Sequence, residues 1–129
     1  MSGRFLFDTN IVIALFDSDK EILKNLKKAN HILLPSIVVG ELFYGAYNSN
    51  LQEKNLKKII DFCTEVQILS CDYLTATLYG SIKKELKEIG KPIPENEIWI
   101  SAISIQNNIP LVSRDKHLTY IQNLKLINW

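Results

Sequence analysis

Four of the 14 acidic residues stand in apolar stretches of the sequence, where an isolated ionised carboxylate is costly to bury. They are Asp8 in FLFDTNIVI, Glu41 in SIVVGELFYG, Glu97 in ENEIWISAI and Asp115 in LVSRDKHL. Clustered carboxylates repel one another, so they must take up protons or bind cations. The sequence offers few bases close to them, only Arg114, Lys116 and His117 beside the last acid.

A divalent cation is the simpler remedy for such a cluster. Carboxylate oxygens suit a hard ion such as Mg²⁺ or Mn²⁺ and do not suit zinc. An ion of this kind can activate water and stabilise charge on a phosphoryl oxygen, and a second ion could hold the leaving oxygen. The four acids therefore support hydrolysis of a phosphate ester as a hypothesis, although they do not identify the ester.

The elements that must position these acids alternate along the chain. Short apolar segments predict strands covered on both faces at residues 5–7, 32–34, 66–69 and 111–112, with a fifth strand at 125–128. Helical patterns lie between them, at residues 11–16, 21–29, 36–47, 51–62, 72–89 and 95–106. This alternation predicts an α/β fold around a mainly parallel sheet of four to five strands. No repeat or Pro/Gly-rich linker is present, so we expect one domain over residues 1–129.

Polar residues near the helix starts predict caps. We expect the pair Thr9 and Asn10 to cap the first helix, Ser36 to cap the third and Asp72 to cap the fifth.

Connectivity predicts a common location for three of the four acids. Asp8 follows the first strand, Asp115 lies just beyond the fourth, and Glu41 is in the helix that leaves the second. Ligands of open parallel sheets bind in the crevice outside the carboxyl ends of the strands. Glu97 lies in the first turn of the helix that enters the fourth strand, so we expect it near the opposite edge unless that helix crosses obliquely.

The overall composition excludes several classes of protein. With 47% hydrophobic and 22% charged residues, the chain is not of a disordered type. No secretory leader is evident, and no apolar run approaches the roughly 20 residues that span a bilayer. Cys63 and Cys71 lack the spacing of a zinc site, and we expect two reduced core thiols in a cytoplasmic protein.

Four motifs follow one another along nearly the whole chain. They are LFDTNI at residues 6–11, PSIVVGEL at 35–42 with Gly45, GKPI and ENEIWISA at 90–93 and 95–102, and LVSRDKHL at 111–118. In this order and spacing they resemble the motifs of the PIN-domain family, in particular the VapC-like ribonuclease toxins of prokaryotic toxin–antitoxin pairs.

The resemblance implies a three-layer α/β/α fold whose strand order brings all four acids together. It implies a cytoplasmic endoribonuclease that depends on Mg²⁺ or Mn²⁺, hydrolyses RNA phosphodiester bonds and has no membrane association. By matching position, the catalytic and metal-binding residues are Asp8, Glu41, Glu97 and Asp115. Polar residues that support them are Thr9, Asn10, Asn96 and Ser113. The resemblance also implies a small VapB-like antitoxin as partner, and a homodimer.

Position 97 departs from the family's pattern, in which the third acid is usually Asp. The extra methylene of Glu97 moves the carboxylate by about one C–C bond, and the geometry of metal ligands is sensitive to shifts of that size. Glu97 then binds through a water, selects Mn²⁺ or marks a weakened enzyme. A purely structural Glu is a further interpretation, because a helix start favours negative side chains. The alternative function is a catalytically weakened PIN-like module that holds RNA or a protein.

Two other phosphate chemistries on similar sheets fit the sequence less well. A receiver-like phosphoacceptor needs an acidic neighbour beside Asp8 and a Lys after the last strand, and a haloacid-dehalogenase-like phosphatase needs Asp at position 10, which is Asn.

Several side chains leave more than one interpretation open. We expect Trp99 to be core and not an RNA-stacking surface, and we expect His117 to have no direct role. The apolar surplus of the early helices is either core or a contact for a dimer or antitoxin; it comprises Ile11, Ile13, Phe43, Tyr44 and Tyr47. The net charge of +1 does not exclude RNA, because ten acids remain against 15 bases once four face a metal.

Overall fold

The computed structural model describes residues 3–129, and its centre is a five-stranded parallel sheet. The strands are β1 (Arg4–Phe7), β2 (His31–Pro35), β3 (Gln67–Leu69), β4 (Leu111–Val112) and β5 (Leu126–Ile127). Six helices flank them: α1 (Thr9–Phe16), α2 (Lys20–Leu26), α3 (Ser36–Tyr47), α4 (Gln52–Cys63), α5 (Tyr73–Glu88) and α6 (Glu95–Asn107). A short 3₁₀ helix, Lys116–Tyr120, precedes β5. The predicted α/β/α fold class is confirmed.

The strand order β3-β2-β1-β4-β5 places the first strand in the middle of the sheet. The chain moves outward from β1 to β2 and β3, and then returns to build β4 and β5 on the other side. Backbone hydrogen bonds join β1 to β4 directly, with Asp8 N 3.0 Å from the carbonyl oxygen of Val112. Beyond the carboxyl ends of β1 and β4 the connections diverge, and this is where open parallel sheets form a ligand crevice.

The inner strands carry the core, whereas the edge strand β3 does not. Leu6, Leu33 and Leu111 have no solvent-exposed surface, as expected for strands covered on both faces. Ile68 of β3 is 41% exposed, so the prediction of burial on both faces is wrong for this strand. Within residues 3–129, β3 pairs with one strand, and its three residues are too few to be covered fully.

The helix caps differ in part from the sequence-based prediction. Asp8, and not the pair that follows it, caps α1, because its carboxylate accepts the backbone N–H of Thr9 at 2.8 Å. α3 begins at Ser36 after Pro35, and no side chain caps it. Asp72 caps α5 as predicted, and a reciprocal hydrogen bond with Thr75 completes a capping box.

The direction of α6 corrects the expected position of Glu97. Only three residues separate the end of α6 at Asn107 from the start of β4 at Leu111, so the helix must end at the amino edge of that strand. Thirteen residues of α-helix span about 20 Å, which returns the helix start to the carboxyl edge. The expectation that Glu97 lies at the opposite edge is therefore wrong.

Polar and aromatic contacts hold α6 against α5 in this orientation. Gln106 donates to the carboxylate of Asp72 at 2.8 Å, and the buried hydroxyl of Thr75 bonds to Gln106 as well. Near the other end, the rings of Tyr79 and Trp99 stack with centroids 4.1 Å apart. Trp99 therefore stacks on another side chain of the protein, but it is only half-buried and is not one of the core residues, although the sequence predicted it to be one.

The apolar surplus of the early helices divides between core and surface. Ile11 is buried, whereas Ile13 is 49%, Tyr44 72% and Tyr47 59% exposed. Cys71 is exposed, so the expectation of two core thiols is wrong for this residue. Within residues 3–129, every helix is too short or too polar to cross a membrane.

Candidate active site

Asp8 is the deepest of the four acids, because it ends the central strand and begins α1. Its side chain is buried, and one carboxylate oxygen accepts the hydroxyl of Ser113 at 2.6 Å while the other accepts the backbone N–H of Thr9. Burial raises the pKa of Asp8 above its ordinary value, and the nearby charges of Glu41 and Asp115 act in the same direction, although the two hydrogen bonds oppose this.

Ser113 is the centre of a network that joins β1 to the segment after β4. Its hydroxyl also accepts the backbone N–H of Asp115 at 3.0 Å and the amide of Asn10 at 3.4 Å. The amide oxygen of Asn10 in turn accepts the backbone N–H of Arg114 at 3.2 Å. Ser113 is buried beneath Asp8 and does not line the cleft, so its contacts orient the acids from behind.

Glu41 reaches the cleft from α3, and two neighbours fix its carboxylate. Thr9 donates its hydroxyl to one oxygen at 2.6 Å, and Asn96 donates its amide to the other at 3.3 Å. These donors come from α1 and α6, so Glu41 connects three helices at the cleft.

Glu97 and Asp115 form the second half of the acidic group. Burial, a hydrogen bond with Asp115 and the surrounding negative charges raise the pKa of Glu97 to about 8. The same hydrogen bond lowers the pKa of Asp115, so the two carboxyl groups share one proton. Nδ1 of His117 lies 3.2 Å from Asp115 and 3.5 Å from Glu97.

The acids face a single open cleft of about 590 Å³. Seven of the eight residues selected from the sequence line it, and Ser113 lies below it. The sequence-selected lining residues are Asp8, Thr9, Asn10, Glu41, Asn96, Glu97 and Asp115. The structure thus brings the selected residues to one cleft, and their catalytic roles stay a prediction. Within residues 3–129, the group of three possible ligand atoms that lie within 4.8 Å of one another comprises Glu97, Asp115 and His117, and not Asp8 or Glu41.

The donor set fits a hard divalent cation. One oxygen of Glu97, Oε2, is buried and accepts no hydrogen bond from any donor in residues 3–129. Among the ion pairs of residues 3–129, none joins a lysine or an arginine to any of the four acids. Acids that pair with no lysine or arginine of the described residues, and with one histidine only at the edge of the group, favour the binding of a cation.

Two basic residues near the acids make contacts that the sequence did not predict. His117 offers a ring nitrogen within 4.8 Å of oxygens of Glu97 and Asp115, although we expected no direct role for it. The available signal was its position two residues after Asp115, where the 3₁₀ helix turns it back. Arg114 points away from the cleft and pairs with Asp19, a contact that no local pattern indicates.

Comparisons with known proteins agree with this geometry. The family model described as PIN domain matches residues 5–124. The chain is 36% identical to ribonuclease VapC2 of Haemophilus influenzae, with 98% of each chain covered. It is 33% identical to ribonuclease VapC2 of Rickettsia felis, with 97% of each covered. The solved structure of VapBC2 from Rickettsia felis, bound to a DNA fragment from their promoter, superimposes with a TM-score of 0.90 at 31% identity, covering 98% of each chain.

The raised pKa of Glu97 predicts a pH-dependent stability in the protein stripped of divalent ions. The unfolded chain releases this proton near its ordinary pKa of 4.5, whereas the folded protein keeps it until about 8. Between these values the folded state binds more protons, so the free energy of unfolding falls as pH rises, by up to about 1.4 kcal/mol per pH unit for one proton. Urea unfolding in EDTA at pH 5.5, 7 and 8.5 measures this slope.

Glu97→Gln should flatten that slope, because glutamine has no proton to lose. Glu95→Gln is the matched control on the same helical turn, since Lys83 lowers the pKa of Glu95 and keeps it ionised across this range. Equal slopes for Glu97→Gln and the parent would contradict the shared proton.

Proposed function

The chain belongs to the PIN domain family, among its VapC-like ribonucleases, and from this premise we propose that it is a single-domain, divalent-metal-dependent endoribonuclease and the toxin of a toxin–antitoxin pair. One observation carries the proposal. Four carboxylates from four separate segments line one cleft, where one of their buried oxygens accepts no hydrogen bond from the part of the chain that the structure describes. A purely structural acid would have a hydrogen-bonding or basic partner for each buried oxygen.

We propose that Asp8, Glu41, Glu97 and Asp115 hold Mg²⁺ or Mn²⁺. When bound, such an ion lowers the pKa of water and offsets the charge that develops on a phosphoryl oxygen. The four carboxylates supply oxygen atoms alone, which is the donor type that these two ions prefer. His117 adds one nitrogen at the edge of this set, which Mn²⁺ tolerates better than Mg²⁺.

The neighbouring polar side chains keep the acids in place before substrate arrives. Thr9 and Asn96 hold both oxygens of Glu41, so its carboxylate cannot rotate freely. Ser113 holds Asp8 from below. Ordering the carboxylates in advance lowers the entropy lost when a cation and a phosphate are fixed between them.

RNA is the proposed substrate because the relatives at 36% and 33% identity are ribonucleases by name and the acids line an open cleft. The cluster repels phosphate as long as it is uncompensated, and attracts it once cations offset its charge. Exposed lysines outside the cleft leave the rest of the surface mildly basic, since ten acids remain against 15 bases when the four site acids are set aside. An RNA substrate also makes the cytoplasm the proposed location.

The metal requirement predicts the effect of Asp8→Asn. Asparagine keeps an oxygen for Ser113 but removes the charge, so we expect cleavage of a folded RNA such as bulk tRNA to fall at least about 100-fold. EDTA should abolish cleavage by the parent protein, and Mg²⁺ or Mn²⁺ should restore it. The rate of product formation on a denaturing gel is the measurement.

Asp61→Asn is the matched control, because Asp61 lies in an exposed ion pair with Lys57 on α4. Its cleavage rate should equal that of the parent. Cleavage that persists in EDTA, or full activity in Asp8→Asn, would rule out the metal–carboxylate proposal.

Glu97→Asp distinguishes the active enzyme from the alternative, a weakened module that holds RNA or a protein. The longer side chain of Glu97 reaches both Asp115 and His117, and shortening it would withdraw the carboxylate from both. We therefore expect the rate to fall by about tenfold, as for other displaced metal-site groups. Glu88→Asp, in an exposed pair with Lys84 on α5 and outside the cleft, is the control and should cleave at the rate of the parent. A higher rate in Glu97→Asp would instead favour the weakened module.

We propose that the antitoxin occupies a partly apolar groove of about 280 Å³ between α1, α3 and α4, which Asp17, Asn55 and Lys58 also line. Ile13 and Glu41 line both this groove and the acidic cleft, so the two are continuous. Phe16, Leu42 and Ile59 line its interior. A small protein bound there would cover exposed apolar area and reach the acids. The homodimer also stays a proposal, supported by the exposed rings of Tyr44 and Tyr47.

Ile13→Asp should weaken antitoxin binding, because it places a charge where apolar side chains meet. Binding of the product of the adjacent gene, measured by calorimetry, should fall at least about tenfold. Leu74→Asp on α5, an exposed apolar residue outside the groove, is the control and should bind as the parent does. Equal affinities for the two variants would place the antitoxin elsewhere.

A further inference from the structure

Arg114 uses its whole side chain to join two segments that lie outside the acidic cleft. Its two terminal nitrogens donate to the two carboxylate oxygens of Asp19, each at 3.0 Å, and Nε donates to the carbonyl oxygen of Trp129 at 3.0 Å. This two-bond fork is a geometry that lysine cannot reproduce. Arg114 stands between Ser113 and Asp115, both of which belong to the site.

Asp19 is a rigid anchor for this fork. Its carboxylate also caps α2 by accepting the backbone N–H groups of Glu21 at 3.0 Å and Ile22 at 3.1 Å. The side chains of Arg114 and Asp19 are only 35% and 29% exposed, so solvent screens their attraction less than on an open surface. The Arg114 hydrogen bonds and the α2 cap lower the pKa of Asp19 to about 2, so the pair stays ionised.

The second anchor, Trp129, is attached to the central strand. Its ring packs against Phe5 and Phe7 of β1, with centroids 5.0 and 5.5 Å away. The main-chain oxygen that Arg114 binds is therefore held in place by β1, the strand that ends immediately before Asp8.

The backbone of Arg114 completes the connection to the acids. Its N–H donates to Asn10, whose amide also contacts Ser113, and Ser113 bonds to Asp8 and to the N–H of Asp115. A displacement of Arg114 would move the residues on both sides of it, and thereby the carboxylate of Asp115 relative to Asp8.

We infer that Arg114 is a positioning residue, which holds the segment Ser113 to Asp115 in the geometry that the metal site needs through its fork with Asp19. The inference rests on the proposed function. Arg114 acts from outside the cleft, because its donors are engaged with Asp19 and Trp129 and not with the site acids.

Mn²⁺ binding by the full chain, followed by electron paramagnetic resonance, tests this role apart from catalysis. Arg114→Gln should weaken Mn²⁺ binding about tenfold, the effect typical of groups that orient metal ligands. Asp19→Asn should have the same effect, because asparagine keeps the α2 cap but loses the charge that Arg114 binds. The double variant should bind Mn²⁺ about as well as whichever single variant binds it less tightly. The two substitutions remove the same interaction, so their effects should not add.

Cleavage kinetics and a matched control complete the experiment. Arg114→Gln and Asp19→Asn should lower kcat while KM for RNA stays within about twofold of the parent value. The kcat of Arg114→Lys should lie between that of these two variants and that of the parent. Arg4→Gln, an exposed arginine on β1, should match the parent in both measurements.

Three results would overturn the inference. Unchanged Mn²⁺ affinity in both variants, even with a lower melting temperature, would make the fork merely structural. A raised KM in Arg114→Gln alone would indicate direct contact with RNA. A parent protein that neither binds Mn²⁺ nor cleaves RNA would refute the proposed function, and this inference with it.

Discussion

Repulsion among four carboxylates is the constraint around which the cleft is organised. Asp8, Glu41, Glu97 and Asp115 come from four segments, and in the described part of the chain no lysine or arginine pairs with them. Hydroxyl and amide donors and the proton shared by Glu97 and Asp115 order the acids in place of basic side chains. The hydroxyl and amide donors orient Asp8 and Glu41 without neutralising them, so the attraction of these two carboxylates for a cation is kept, whereas the proton neutralises one acid of the other pair.

The parallel sheet makes this concentration of charge possible. Because β1 lies in the middle, both β2 and β4 can deliver residues beside Asp8 at the same edge. α6 adds Glu97 and Asn96 there, since its short connection to β4 fixes its direction. The fold therefore brings together residues more than 100 positions apart, and the hydrogen bond from Ser113 to Asp8 joins two of them. Pairing between the strands positions the segments that carry Asp8 and Asp115, and the helices that adjoin the strands carry Glu41 and Glu97 to the same cleft.

Local patterns were sufficient to predict which segments form helices and strands, but not to predict every helix cap or the exposure of each strand. The 3.6-residue period and the short apolar runs predicted all six helices and five strands, within a few residues. The cap of α1 was assigned wrongly because Asp8 both caps the helix and belongs to the acidic site. Aspartate is common in both positions, so its residue type does not distinguish the two roles. The exposure of β3 and of Cys71 was not predicted, because composition does not show which strand is at the edge.

The sequence by itself determined which acids are candidate site residues, because an acid within an apolar stretch is unusual. Four motifs in the same order and spacing as those of a known family are also specific. It also determined the parallel α/β fold, since hydrophobic periodicity is a local property of the chain. Only the tertiary structure decided the partners: Thr9 with Glu41, His117 between two acids, and Arg114 with Asp19, 95 residues away. Such contacts depend on where the chain reverses and on the direction of each side chain. The spacing of residue types along the sequence predicts neither of these.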